Sequence, residues 1–144
     1  MAGEEHFTGV IPYLTIREGR ASEAPAFYQR AFEATEVRRA ASDDGKRLLH
    51  CQLSINGGTL FLSDDFPEYR GGLPAPEPAS VTLHLEVDNA DRWWERAIAA
   101  GAEIRMPLED QVWGDRYGQL RDPFGHSWSI ASPIRKITTQ MEAA

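Results

Sequence analysis

Two short segments carry side chains able to do chemistry at a spacing of two residues. They are His50, Gln52 and Ser54 in one, and Thr82, His84 and Glu86 in the other. Alternate residues of a β-strand point the same way, so each set shares one face of its strand. Two histidines with a carboxylate form the donor set used by non-heme iron. His50, His84 and Glu86 therefore admit a divalent-metal reading. The plainer reading is a wall of hydrogen-bonding groups around an organic ligand, where His84 or Glu86 could also pass a proton without a metal. Tyr13 and Arg121 extend that wall, although Arg121 beside Asp122 is equally a surface charge. Trp113, next to Gly114, either closes over a flat ligand or packs on the end of the sheet.

Other chemistries lack their residues. The string Gly-x-Ser-x-Gly does not occur, so there is no nucleophile elbow. Neither Asn56-Gly57-Gly58 nor Arg70-Gly71-Gly72 opens a helix after a strand, as a phosphate loop does. Cys51, the one cysteine, alternates with His50 and Gln52 and so faces the helix side, where a buried thiol is inert. Asp43-Asp44 and Asp64-Asp65 read as solvated turn carboxylates. His126 follows a turn glycine and makes a structural hydrogen bond. His6 lies in a loose terminus.

The elements that position these residues follow from pattern. Strands are expected at 10–16, 36–41, 47–55 and 59–63, with a helix at 22–33 capped by Ser22 and presenting Ala24, Phe27, Tyr28, Ala31 and Phe32 on one face. Three prolines and two glycines between Arg70 and Pro78 mark a linker, taken as 65–79. Strands follow at 80–87, 103–106, 116–121 and 126–131. A second helix starts at an Asp88 or Asn89 cap and stops at Gly101. Asp122-Pro123-Phe124-Gly125 has the residues of a type I turn. In 81–87 the odd positions Val81, Leu83, Leu85 and Val87 are apolar and belong under a helix; the even ones are polar. Leu49, Cys51 and Leu53 alternate with His50, Gln52 and Ser54 in the same way.

Both halves thus read strand, helix, three strands. Ala26-Phe27-Tyr28-Gln29-Arg30-Ala31-Phe32 lays onto Arg92-Trp93-Trp94-Glu95-Arg96-Ala97-Ile98, aromatic pair on aromatic pair. The expected fold is α+β: one domain of tandem βαβββ modules, 9–64 and 80–132, with a tail at 133–144. Their curved mixed sheet surrounds a cleft, and the helices lie on its outer face. Trp93 and Trp94 read as core or as a contact between copies. The chain has 144 residues, enough for one core, and a net charge of −7. Without a basic stripe it lacks the electrostatic footprint of a nucleic-acid binder, and an anionic membrane would repel it. The acidic start argues against a signal peptide. With one cysteine, this fits a cytoplasmic protein.

At this point the residues resemble a known family. The duplicated module is similar to the vicinal oxygen chelate superfamily of glyoxalases, bleomycin-resistance proteins and extradiol dioxygenases. Pro12-Tyr13-Leu14-Thr15, Ala26 through Phe32, Trp113-Gly114-Asp115-Arg116-Tyr117-Gly118 and Asp122-Pro123-Phe124-Gly125-His126-Ser127-Trp128 resemble its PhnB-like branch. The likeness spans about 9–132. Enzymes of that family hold a divalent metal with one side chain from each of four strands. Carried onto this chain, those positions fall at or near Tyr13, then at Gln52, Thr82 and Ser129. Only Gln52 is a family-type ligand; tyrosine, threonine and serine are poor neutral donors for such metals. The resemblance therefore implies a binder of small molecules that has lost the family metal site and needs no cofactor. Its ligand wall would be Tyr13, His50, Gln52, Thr82, His84, Glu86, Trp113, Arg121 and Ser129. The alternative is a divalent-metal-dependent lyase, isomerase or dioxygenase acting on a substrate with vicinal oxygens. Pairing into a homodimer is also implied.

Overall fold

The computed structural model describes residues 8–134; His6 and Arg135-Lys136 lie outside the described residues. They fall into two compact units that divide between Pro76 and Glu77. The first contains β1 (Tyr13–Ile16), α1 (Ala24–Phe32), β2 (Thr35–Ala41), β3 (Leu48–Ile55) and β4 (Gly58–Asp64). The second contains β5 (Thr82–Glu86), α2 (Ala90–Ala100), β6 (Glu103–Asp110), β7 (Asp115–Arg121) and β8 (Ser127–Pro133). The sheet orders are β1-β4-β3-β2 and β5-β8-β7-β6, the same topology twice. In each, the first strand pairs parallel with the last, and the other pairings are antiparallel. The expected α+β tandem βαβββ architecture is what forms.

Each helix buries the face that its spacing predicts. In α1, Ala24, Phe27, Tyr28, Ala31 and Phe32 are all buried, beneath Leu14, Ile16, Cys51, Leu53, Leu60 and Leu62 of the sheet. In α2, Trp93 and Ala97 are buried with Leu85, Leu120, Trp128 and Ile130. Trp94 lies against Gly118 of β7: a methyl group there would come within 2.6 Å of the indole and 2.9 Å of the Leu108 backbone. The Trp93-Trp94 pair is therefore packing within its own unit.

Several local expectations fail for physical reasons. β1 begins at Tyr13, not at residue 10, and Val10 is exposed. Ser22 does not cap α1: residues 21–23 form a 3-10 turn, and the Ala21 N–H instead donates to Asp64 Oδ1 at 3.0 Å. The other oxygen of Asp64 accepts from the Leu48 N–H at 2.6 Å. In the second unit Ser132 Oγ, near the end of β8, accepts from the Ala90 N–H at 3.2 Å. Asn89 caps α2, accepting from the Arg92 N–H at 3.2 Å, and Gly101 ends it. Glu33 occupies the corresponding left-handed position after α1, with φ of 57°.

The alternation assigned to β3 breaks at Leu49. A bulge places His50 opposite Ala40 and Leu48 opposite Ala41, so Leu49 is the extra residue. It is exposed, and Leu48 takes its place in the core. Val81 precedes β5 and is exposed, so only Leu83, Leu85 and Val87 of that apolar set turn inward. β6 runs past residue 106 to Asp110, with Pro107 tolerated at a sheet edge beside register shifts.

Two substitutions check this packing by urea denaturation. Gly118→Ala is expected to lose about 1–3 kcal/mol through overpacking against Trp94. Asp64→Ala, which strands two buried N–H groups, is expected to lose about 2–4 kcal/mol, with Asp64→Asn between it and wild type.

Candidate functional site

The register of β5 on β8 sets Thr82 beside Ser127 and His84 beside Ser129. That pairing makes the polar face of the second sheet. Thr82 Oγ1 and Ser127 Oγ are hydrogen-bonded at 3.0 Å. His84 Nε2 lies 2.8 Å from Glu86 Oε1, and His84 Nδ1 lies 2.7 Å from Ser129 Oγ. A carboxylate only accepts, so Nε2 carries the proton. In the neutral ring Nδ1 then accepts from the Ser129 hydroxyl. Ser129 is buried (1% exposed), so this hydroxyl finds its partner in His84 rather than in water.

Aromatic groups continue the face. Tyr117 of β7 stacks on His84, with centroids 6.0 Å apart and planes inclined by 25°. Trp113, in the turn before β7, meets Tyr117 edge-on at 5.7 Å and stays 59% exposed. The Gln119 side-chain amide donates to the Tyr117 hydroxyl at 3.0 Å. Arg121 pairs with Glu77. The position of these strands comes from Asp122, buried in the turn joining β7 to β8. Its Oδ1 accepts the Phe124 and His126 N–H groups, each at 2.9 Å, and its Oδ2 accepts Trp128 Nε1–H at 2.9 Å. The Gly125 N–H closes the turn on the Asp122 carbonyl at 3.0 Å.

On the first sheet, the Tyr13 hydroxyl and His50 Nδ1 are 2.8 Å apart. Both rings meet Phe61 edge-on, at 5.5 and 4.7 Å. Desolvation raises the Tyr13 hydroxyl above the ordinary phenol range and keeps it protonated. Gln52 stands opposite Phe61 and Arg38 and is buried, at 4% exposed. Between His50 and Gln52, Cys51 turns into the core and is fully buried.

Of the sequence-derived residues, Tyr13, His50 and Gln52 thus belong to the first sheet. Thr82, His84, Glu86, Trp113, Arg121 and Ser129 belong to the second. Tyr117, Gln119, Ser127 and Phe61 were missed. Their signal was the same period-two reading, applied to 117–121, 127–131 and 59–63.

Both nitrogens of His84 are engaged, and Ser129 and Thr82 bond to His84 and Ser127. In neither unit, among the described residues, do three or more His, Cys, Asp or Glu side chains gather to hold a metal. No helix among them is long and apolar enough to cross a membrane.

The model of the Glyoxalase/Bleomycin resistance protein/Dioxygenase superfamily matches residues 10–130. An uncharacterized protein of Mycobacterium bovis is 45% identical over 131 residues, covering 88% of this chain and 84% of that protein. An uncharacterized protein of Mycobacterium tuberculosis has the same identity over 131 residues, covering 88% of this chain and 75% of its own. Among solved structures, an Arabidopsis thaliana gene product superposes with a TM-score of 0.68 at 26% identity, covering 88% of this chain and 99% of that one. TioX from Micromonospora sp. ML1 superposes at 0.63 with 23% identity, covering 88% and 100%. The fosfomycin resistance protein FosX of Listeria monocytogenes does so at 0.63 with 18% identity, covering 88% and 94%. The last two likenesses carry the fold alone.

Burial raises the Cys51 thiol from 9.0 to about 11, with the Glu36 carboxylate adding to the effect. The neutral thiol is what the folded state keeps. Its contribution to stability is complete below pH 9.0 and is lost as pH rises toward about 11. Across that window stability is expected to fall by about 1.4 kcal/mol per pH unit more in wild type than in Cys51→Ala. Urea midpoints at stepped pH read the difference.

Proposed function

The chain belongs to the Glyoxalase/Bleomycin resistance protein/Dioxygenase superfamily, and from that premise we propose that it is a small-molecule-binding protein working without the divalent metal of family enzymes. Its ligand wall is the polar face built by Thr82, His84, Glu86, Ser129, Tyr117 and Trp113, with Tyr13, His50 and Gln52 as the corresponding groups of the first module. The observation that carries this reading is the donor set of the second sheet: His84 hydrogen-bonds through both ring nitrogens, to Ser129 and Glu86, and Thr82 and Ser129 at the family's ligand positions are poor donors for a divalent metal. What the face offers instead is a stacked aromatic pair above a row of hydrogen-bonding groups. Such a surface suits a flat, partly polar organic molecule.

The proposal includes the PhnB-like branch, on the four segments named above. It also includes a homodimer, as is common in the family, and a cytoplasmic location, which the single cysteine supports. Light scattering at micromolar concentration is the check on the dimer.

A thermal-shift screen of chemically varied ligands, run with EDTA and again with added Zn²⁺, Ni²⁺, Mn²⁺ or Fe²⁺, tests the function. A ligand at a hundred times its dissociation constant stabilises the protein by about 2.7 kcal/mol. At least one should do so in EDTA, and His84→Ala should weaken it at least tenfold. Stoichiometric metal in the purified protein by elemental analysis, or ligand binding that requires added metal, sinks the reading.

A further inference from the structure

We infer that the second unit carries a subsite for an anionic oxyacid group, a phosphoryl or carboxylate, and that Glu77 of this same chain stands in its place until a ligand arrives. This rests on the proposal that the polar face of the second sheet is a ligand wall, and it names the charge of what binds there. A cavity of about 320 Å³ lies at one end of that face, lined by Glu77, Ser80, Arg105, Gln119, Arg121 and Ser127. Two arginines and one carboxylate are among its lining residues, a formal excess of one positive charge in a chain of net charge −7.

The two arginines are not equivalent. Arg121 is paired with Glu77, whereas Arg105 is exposed and makes no ion pair among the described residues. Glu77 is an easily displaced partner. Its side chain is 60% exposed, and exposed ion pairs are weak. It sits on an irregular segment whose Pro78 lies against the Gly125 turn and whose Ser80 adopts a left-handed φ of 69°. An arriving anion that engages both guanidinium forks gains two charge-assisted contacts where Glu77 makes one. The same strands connect the subsite to the imidazole. Ser127 bonds Thr82, and Gln119 bonds the Tyr117 that stacks on His84. A ligand anchored by its anion at Arg105 and Arg121 would therefore lay its body along His84 and Trp113.

The test is titration of wild type, Glu77→Gln, Arg105→Met and Arg121→Met with inorganic phosphate and, separately, succinate. Sodium chloride keeps the ionic strength constant, and binding is read from the arginine Nε–H resonances and by calorimetry. The expected result is saturable binding of one or both anions, tightened about three- to fivefold in Glu77→Gln and weakened at least tenfold in Arg105→Met. Whichever anion binds more tightly separates phosphoryl from carboxylate recognition. The inference is overturned by shifts no larger than chloride produces, by Glu77→Gln binding no more tightly than wild type, or by unchanged affinity in Arg105→Met, an exposed position where the fold is retained. If those failures occur while a neutral ligand still stabilises the protein in a His84-dependent way, the ligand wall stands and the anion subsite alone falls.

Discussion

Parallel pairing of β5 with β8 governs which side chains of the second unit can meet. His84 reaches Ser129 because the two strands run side by side with those residues in register. A slip of one residue would send Thr82, His84 and Glu86 into the core and Leu83 and Leu85 to the opposite face. The alternation of Leu83, Leu85 and Val87 forbids that slip, since their burial would be lost. The hydrophobic pattern of one strand is thus what holds the imidazole where a carboxylate and a buried hydroxyl can take both its nitrogens.

Asp122 extends the same control to β7. With both carboxylate oxygens spent on turn N–H groups and on the Trp128 indole, the β7–β8 hairpin has no freedom to shift. Gln119 is held opposite Ser129, and Arg121 opposite Ser127. One buried side chain in a tight turn therefore aligns Tyr117 over His84 and aims Arg121 at Glu77. These polar contacts lie far apart in sequence but form a chain of direct neighbours across three strands.

The features legible in the amino-acid order were those set by local rules. The duplicated helix pattern, a cap at Asp88 or Asn89 (Asn89 in the structure), the Gly101 stop and the Asp122-to-Gly125 turn each depend on a few adjacent residues, and all are found. What escaped was set from a distance. The α1 entrance is held by Asp64, a residue 43 positions away, so no local cap signal exists to read and Ser22 was a false one. The Leu49 bulge answers a mismatch with β2 that only the pairing reveals. At the site, period two found His84, Glu86 and Ser129, but nothing in the order of residues says that the two ring nitrogens are both taken. Tyr117 and Phe61 escaped because an aromatic residue in an alternating strand reads equally well as core.

One edge strand of each sheet, β2 in the first and β6 in the second, has a consequence for life at high concentration. Every residue of β2 is exposed, and its register shifts at two points; β6 is likewise irregular and contains Pro107. Glu36, Arg38 and Arg39 punctuate the one margin, Glu103, Arg105 and Glu109 the other. Kinked, charged margins make a poor template for a further strand. The very devices that defeat simple pattern reading thus also make these two edges poor sites for adding a strand.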